Sequence, residues 1–183
     1  MNDLSEQAAL TGDYVLDATR TRIGFVSRAM LISTVRGRFE EFEGGAHLDG
    51  EDPSKSEVRL TLRTRGLRTG NARRDEHLRG ADFLDGDHHP DITFTSTRVR
   101  RTGATRFTLT GDLTIRGTTG PVTVDLELTG TGNGTGIGTG DHIAFTGRGI
   151  LNRRDWNVRW GGRLLADKVT LELEVALIHY AQR

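Results

Sequence analysis

The densest run of side chains able to do chemistry is Asp85, Asp87, His88, His89 and Asp91. Two imidazoles and a carboxylate can ligate zinc or iron, and a histidine beside a carboxylate can move a proton. Adjacent histidines on an extended strand point to opposite sides, which makes ligation by both awkward. Pro90 also marks a turn into the strand Ile92-Thr93-Phe94, where solvated turn and capping groups are the ordinary occupants. A second polar group, Arg73, Arg74, Asp75 and His77, falls where a short helix would begin. There an acid is favoured by the helix dipole, and an arginine–aspartate pair can pin the helix to its surroundings. Arg153 and Arg154 form a third group. No G-x-S-x-G surrounds any serine, so a hydrolase triad has no support. The absence of cysteine excludes disulfides, thiolate metal sites and cysteine nucleophiles. The tract TGTGNGTGIGTGD, residues 129–141, has neither Gly-Lys-Ser/Thr nor a following helix, so it reads as a mobile hairpin loop and not a phosphate cradle.

The elements that must position these groups are strands. Val58, Leu60 and Leu62 alternate with Arg59, Thr61 and Arg63. Phe107, Leu109, Gly111, Leu113 and Ile115 alternate with Thr108, Thr110, Asp112 and Thr114. Val122 to Leu128, His142 to Ile150 and Lys168 to Ile178 keep the same period of two, which belongs to half-buried strands. Shorter versions run over Tyr14–Leu16, Arg22–Met30, Val35–Phe42, Ala46–Asp49 and Ile92–Val99. The link RGTTGP, residues 116–121, is turn chemistry and makes its flanking strands a hairpin. Alternation fails over Asn71–Leu84, where Leu78, Phe83 and Leu84 have helical spacing. The count is about eight or nine strands with one inserted helix: an antiparallel barrel or a sandwich, with closure favouring the barrel because it removes edges.

The 183 residues make one domain: residues 1–11, polar and small, form a flexible arm, and 12–183 form the barrel. Lys+Arg and Asp+Glu are both 25, so no overall field draws in nucleic acid or anionic lipid. The start, MNDLSEQAALTGDY, has neither a basic segment nor an apolar run of the roughly 7 residues a leader needs, which reads as cytoplasmic, with no stable membrane insertion. In a barrel of about eight strands the interior is either filled or just wide enough for one small ligand. The inward glycines Gly111, Gly147 and Gly149 either leave volume unfilled or mark bends over a closed core.

Four blocks carry a family resemblance: YVLDATRTRIGFVSR (residues 14–28) with VRGRFEEFEG (35–44), TGNARRDEHLRGADFLDGDHHPDITFTST (69–97), LTGDLTIRGTTGPVTV (109–124) and LNRRDWNVRW (151–160). The second matches the signature T-G-x-x-x-R-D-x-H-L-x-x-x-D-F-x-D…P-x-I-T-F. In order and spacing, from about Gly12 to Ile178, the chain resembles the YceI-like family of lipocalin-like, polyisoprenoid-binding barrels. It departs at Trp156 and Asn157, where the family carries an aromatic–glycine pair, and this touches the local turn and the pocket rim.

The resemblance implies an all-β fold, an extended antiparallel eight-stranded lipocalin-like β-barrel with one short helix inserted between strands. It implies a binding protein and not an enzyme, without metal or cofactor. Its partner would be a long-chain isoprenoid, an isoprenoid quinone or a related lipid, held for storage, sequestration or transport. A homodimer is compatible with it. Apolar residues in the matched blocks are the candidate wall: Phe25, Phe39, Phe42, Leu62, Leu78, Phe83, Ile92, Phe94, Leu113, Ile115, Phe145, Ile150, Trp156 and Leu165. Core packing is the competing account of each. An arginine from Arg73, Arg74, Arg153 or Arg154 would meet a head group, a quinone carbonyl or a diphosphate, or else, with Asp75 and His77, anchor structure. Two other readings stay open: an enzyme on the same barrel using His88 or His89 with Asp85 or Asp87, and a filled barrel that binds a protein through an edge or the Gly/Thr loop.

Overall fold

The computed structural model describes residues 9–30, 32–132 and 142–180. They form one antiparallel sheet of 11 strands: β1 (Gly12–Leu16), β2 (Arg22–Ala29), β3 (Ser33–Phe39), β4 (Phe42–Leu48), β5 (Glu57–Arg63), β6 (Leu67–Arg68), β7 (Asp91–Arg101), β8 (Arg106–Ile115), β9 (Thr118–Gly132), β10 (His142–Asn152) and β11 (Leu165–His179). The order β1-β4-β5-β7-β8-β9-β10-β11 returns to β1, which closes a ring of eight strands. The expectation of a closed antiparallel eight-stranded barrel with one short α-helix therefore holds. The one α-helix among the described residues, α1, spans Ala72–Arg79.

The ring is complete at one end only. There, β11 pairs with β1 through His179, Ile178 and Leu177, and the β4–β5 and β7–β8 turns finish the rim; we term this the hairpin end. Further along, β11 exchanges β1 for β2, which pairs with β3, and β3 with the two-residue β6. Beyond β6 no strand continues to β7. The gap is filled by α1 and residues 80–90, and this is the helix end. The exchange point on β11 is Ala176. Its carbonyl accepts from Asp17 N at 2.9 Å and from the buried Thr21 hydroxyl, whose oxygen accepts in turn from Ala176 N at 3.0 Å.

Three expectations are corrected here. The helix ends at Arg79 and not at Leu84: after Gly80 the amides of Leu84, Asp85 and Gly86 turn back to the carbonyls of Leu78, Gly80 and Arg79, so Phe83 and Leu84 sit in turns. The β8–β9 turn is Arg116-Gly117 alone, both with positive φ, as a two-residue hairpin of matching twist requires. Pro121 lies inside β9, opposite Asp112, before pairing with β10 begins at Val124, so its missing N–H falls on a free edge. Thirdly, β7 does not keep one parity. A bulge between Ser96 and Arg98 moves the inward set from Ile92 and Phe94 to Val99.

Of the expected arm, residues 9–11 are described, and Tyr14 donates its hydroxyl proton to Leu10 O at 2.9 Å. Of the Gly/Thr tract, 129–132 belong to β9; the loop expected at its centre, 133–141, lies outside the described residues. No described helix is long and apolar enough to cross a membrane.

Candidate functional site: an apolar bore

The inward side chains do not fill the barrel. A cavity of about 680 Å³ extends from Leu10, Leu48 and Leu177 at the hairpin end to Phe83, Trp156 and Trp160 at the helix end, within the size range of small-ligand sites. Its wall is overwhelmingly aliphatic and aromatic because each strand turns one parity of residues inward. Polar side chains are few in the lining. Asp49, Ser56, Arg59 and Arg101 belong to the hairpin-end half; Ser27, Arg28, Ser33, Arg74, His77 and Arg153 belong to the helix-end half.

Twelve of the fourteen candidate wall residues line this cavity: Phe25, Phe39, Leu62, Leu78, Phe83, Ile92, Phe94, Leu113, Ile115, Phe145, Trp156 and Leu165. Two do not. Ile150 is 55% exposed, because Gly149 and Leu151 face inward and parity sends Ile150 to solvent opposite Thr170. Phe42 pairs with Leu62 and packs against the core without reaching the wall. Residues outside the candidate set complete the bore, among them Val122, Val124 and Leu126 on β9 and Leu171, Leu173 and Leu177 on β11. Their period-two spacing was a sufficient signal. Leu10 and Trp160 also line it, and no periodicity marks either.

The inward glycines do not create the space. A methyl group on Gly111 would sit 2.4 Å from Phe94 Cζ, one on Gly37 2.2 Å from Phe25 Cζ, and one on Gly147 2.8 Å from Leu126 Cδ2. Each marks a place where a neighbouring side chain lies flat across the backbone. The void survives because these rings lie along the wall instead of crossing the bore.

The polar groups of the helix end are largely occupied. Asp75 is buried and accepts from the amide and hydroxyl of Thr69, while Arg74 donates to Thr69 Oγ1 and Thr69 O, both at 2.8 Å. Asn71 caps α1 by accepting from Arg74 N. Arg79 donates to Leu67 O at 2.6 Å. Arg153, 6% exposed, donates to five carbonyls: Val158, Trp160, Gly162, Leu165 and Ala166. Burial pulls its guanidinium below its ordinary value, opposed by Asp167. Arg154 is paired with Asp167 at 2.6 Å. Arg73 is exposed and outside the lining. His77 Nε2 donates to Asp82 Oδ2 at 2.9 Å, and its ring meets the Trp160 ring edge-on, centroids 4.5 Å apart. Trp156 donates to Leu113 O at 2.8 Å, tying the chain after β10 to the barrel wall. Asn157 adopts the left-handed conformation, φ 60° and ψ 21°, that a glycine would take without strain and that asparagine tolerates best among other residues. Its departure from the family pattern therefore preserves the turn.

The Asp85–Asp91 cluster disperses. His88 Nδ1 contacts Asp85 at 2.9 Å, His89 lies against Gly117, and Asp91 is held by Arg63 at 2.7 Å. Among the described residues no three His, Asp or Glu side chains converge as a metal site would require.

The family model of the YceI-like domain matches residues 14–177, from β1 to the end of the bore on β11. The chain belongs to the YceI-like family. It is 34% identical over 157 residues to protein YceI of Shigella flexneri, covering 85% of this chain and 81% of that one. Among solved structures, Burkholderia cenocepacia BcnA superposes with a TM-score of 0.78 at 22% identity, covering 88% of this chain and 98% of that one. A structure described as a polyisoprenoid-binding domain from Saccharophagus degradans superposes with a TM-score of 0.67 at 16% identity, covering 91% and 98%. At these identities the two structures speak for the fold of this YceI-like chain.

Proposed function

We propose that this YceI-like barrel is a binding protein that encloses one long-chain amphiphile, a polyisoprenoid or isoprenoid quinone, for storage, sequestration or transport. The observation that carries the reading is the continuous, overwhelmingly apolar bore of about 680 Å³, with few polar groups in its lining. A tail threaded into it leaves water along its whole length, at about 0.8 kcal/mol gained per buried methylene before ordering costs. That a structure of the same fold is described as a polyisoprenoid-binding domain supports the same class of ligand here. With the donors of Arg74, Arg153 and Arg154 engaged by protein acceptors, burial of the tail dominates recognition, and selectivity for chain length is soft. Chemistry on the ligand is not part of the proposal.

Native mass spectrometry and solvent extraction of the purified protein test it: a co-purifying lipid, lost in Leu113→Glu or Phe94→Glu variants that keep the wild-type circular dichroism, is the expected result. Retention of lipid by folded variants with a charge in the bore would overturn it.

A further inference from the structure

The helix end carries an exposed apolar rim, most of which the bore does not use: of its four side chains only Trp160 lines the cavity. Met30, Ile32, Trp160 and Leu164 are 65, 91, 46 and 62% exposed, the largest cluster of exposed apolar side chains among the described residues. They belong to one rim. Met30 N donates to Leu164 O at 2.7 Å, Ala29 pairs with both Leu165 and Ser33, and Arg153 gathers the carbonyls of Trp160, Gly162 and Leu165. Ala29, Ser33, Trp160 and Leu165 also line the cavity, so the rim surrounds its mouth.

The charge of this rim is mainly positive: Asp167 and Asp82 adjoin it, and they are engaged by Arg154 and by His77, which packs on Trp160. Arg28, Arg159 and Arg163 are exposed and form no ion pair with another described residue. The two rim segments, 28–33 and 158–166, contain no acidic residue, although the whole chain is neutral. A tryptophan and aliphatic side chains level with unpaired arginines is the arrangement that settles at a bilayer interface, where the apolar groups enter the headgroup boundary and the guanidinium groups meet phosphates. A second copy of the chain fits less well, because a two-fold contact through this patch sets the three arginines of one copy against those of the other.

We infer that the helix-end rim is a docking surface for a bilayer containing anionic phospholipid, on which the bore opens directly onto the lipid phase. The protein rests on the membrane without spanning it, and a long apolar chain passes between bilayer and bore without crossing water. The inference rests on the carrier reading for its purpose but not for its test.

The experiment is co-sedimentation with vesicles of phosphatidylcholine, with and without a minority of phosphatidylglycerol, beside tryptophan-fluorescence titration of the protein with the detergent-solubilised C20 alcohol geranylgeraniol. Wild type binds the anionic vesicles, more weakly as salt rises. A Met30→Ser/Ile32→Ser/Leu164→Ser variant loses about tenfold in vesicle partitioning, as does Arg159→Gln/Arg163→Gln on anionic vesicles. Both keep the geranylgeraniol titration, since none of these five residues lines the bore. Equal partitioning of wild type and variants, or no wild-type partitioning at all, overturns docking even where geranylgeraniol binds. Sedimentation of wild type as a dimer that the Ser variant dissociates, without vesicle binding, assigns the rim to a second copy and also overturns it. Failure of geranylgeraniol binding with vesicle docking intact counts against the carrier reading alone.

Discussion

The two ends of the barrel are closed by different means. At the hairpin end the strands pair all the way round, so β1 with β11 and two short turns complete the rim through backbone hydrogen bonds. At the helix end the ring is interrupted between β6 and β7, and closure passes to individual side chains: Asp75 on Thr69, Thr64 on the carbonyl of His89 at 3.0 Å, Arg116 on the carbonyl of Phe83 at 2.7 Å, and Arg153 on five carbonyls at once. Strand pairing distributes stability over many equivalent bonds, so no single side chain is critical. A rim held by polar pegs concentrates it, because a removed peg leaves its buried partners unpaired, five carbonyls in the case of Arg153. The pegged end is also the one that carries the apolar rim, and there a mouth can be shaped without opening the barrel.

The comparison is broken most directly at Arg153. Replacement by Met removes a buried cation and leaves its carbonyls without a donor, and an expected loss on the order of 3–5 kcal/mol should be read from urea denaturation. At the other closure, Thr21→Val strips Ala176 of its side-chain partner where β11 exchanges β1 for β2. The same measurement should show about 1–3 kcal/mol. If Thr21→Val costs as much as Arg153→Met, the contrast between distributed and concentrated closure is lost. Between the ends, Gly111→Ala should destabilise by about 1–3 kcal/mol through overpacking against Phe94, with the bound-lipid content unchanged. A fall in lipid content without loss of stability would instead place the void over that glycine.

The smallest effect concerns the exposed Asp85–His88 pair of the helix end. Its hydrogen bond and charge hold the Asp85 carboxyl below 3.8 and the His88 imidazole above 6.5. The pair therefore favours the fold fully between those two unfolded values. The Asp85 contribution fades as pH falls through its lowered value, and the His88 contribution fades as pH rises through its raised one. A histidine NMR titration should place His88 above an ordinary imidazole, and Asp85→Asn should return it; unchanged titration would remove the pair from the account. Lipid content and midpoint should hardly move in Asp85→Asn.

Much of this was legible in the chain. Alternation over β5, β8, β9 and β11 is a local property of residues meeting water on one side and oil on the other, and it identifies strands, inward faces and most of the wall. The Arg73–His77 block was legible as a helix start but not as the Thr69 clasp that Arg74 and Asp75 make. Ile150 was misplaced although Gly149 and Leu151 beside it already set the parity. The bulge at Thr97 and the turn at Arg116-Gly117 alter parity and length through pairing with another strand, which spacing along one strand does not record. Whether Arg153 meets a head group or anchors structure stayed open for the same reason: its acceptors lie 5 to 13 residues downstream and meet it only when the segment folds back.

By itself the amino-acid sequence determined that the chain forms one-sided antiparallel strands with a short helix between them, and that it carries no cysteine chemistry. Hydration acts on each residue locally, and its period is written in the order of residues. Whether the bore is hollow, which arginines remain free and where the apolar rim lies were decided only in three dimensions. Packing is a matter of which side chain lies across which backbone, and Phe94 over Gly111 or Arg153 among five carbonyls exists only once distant segments meet.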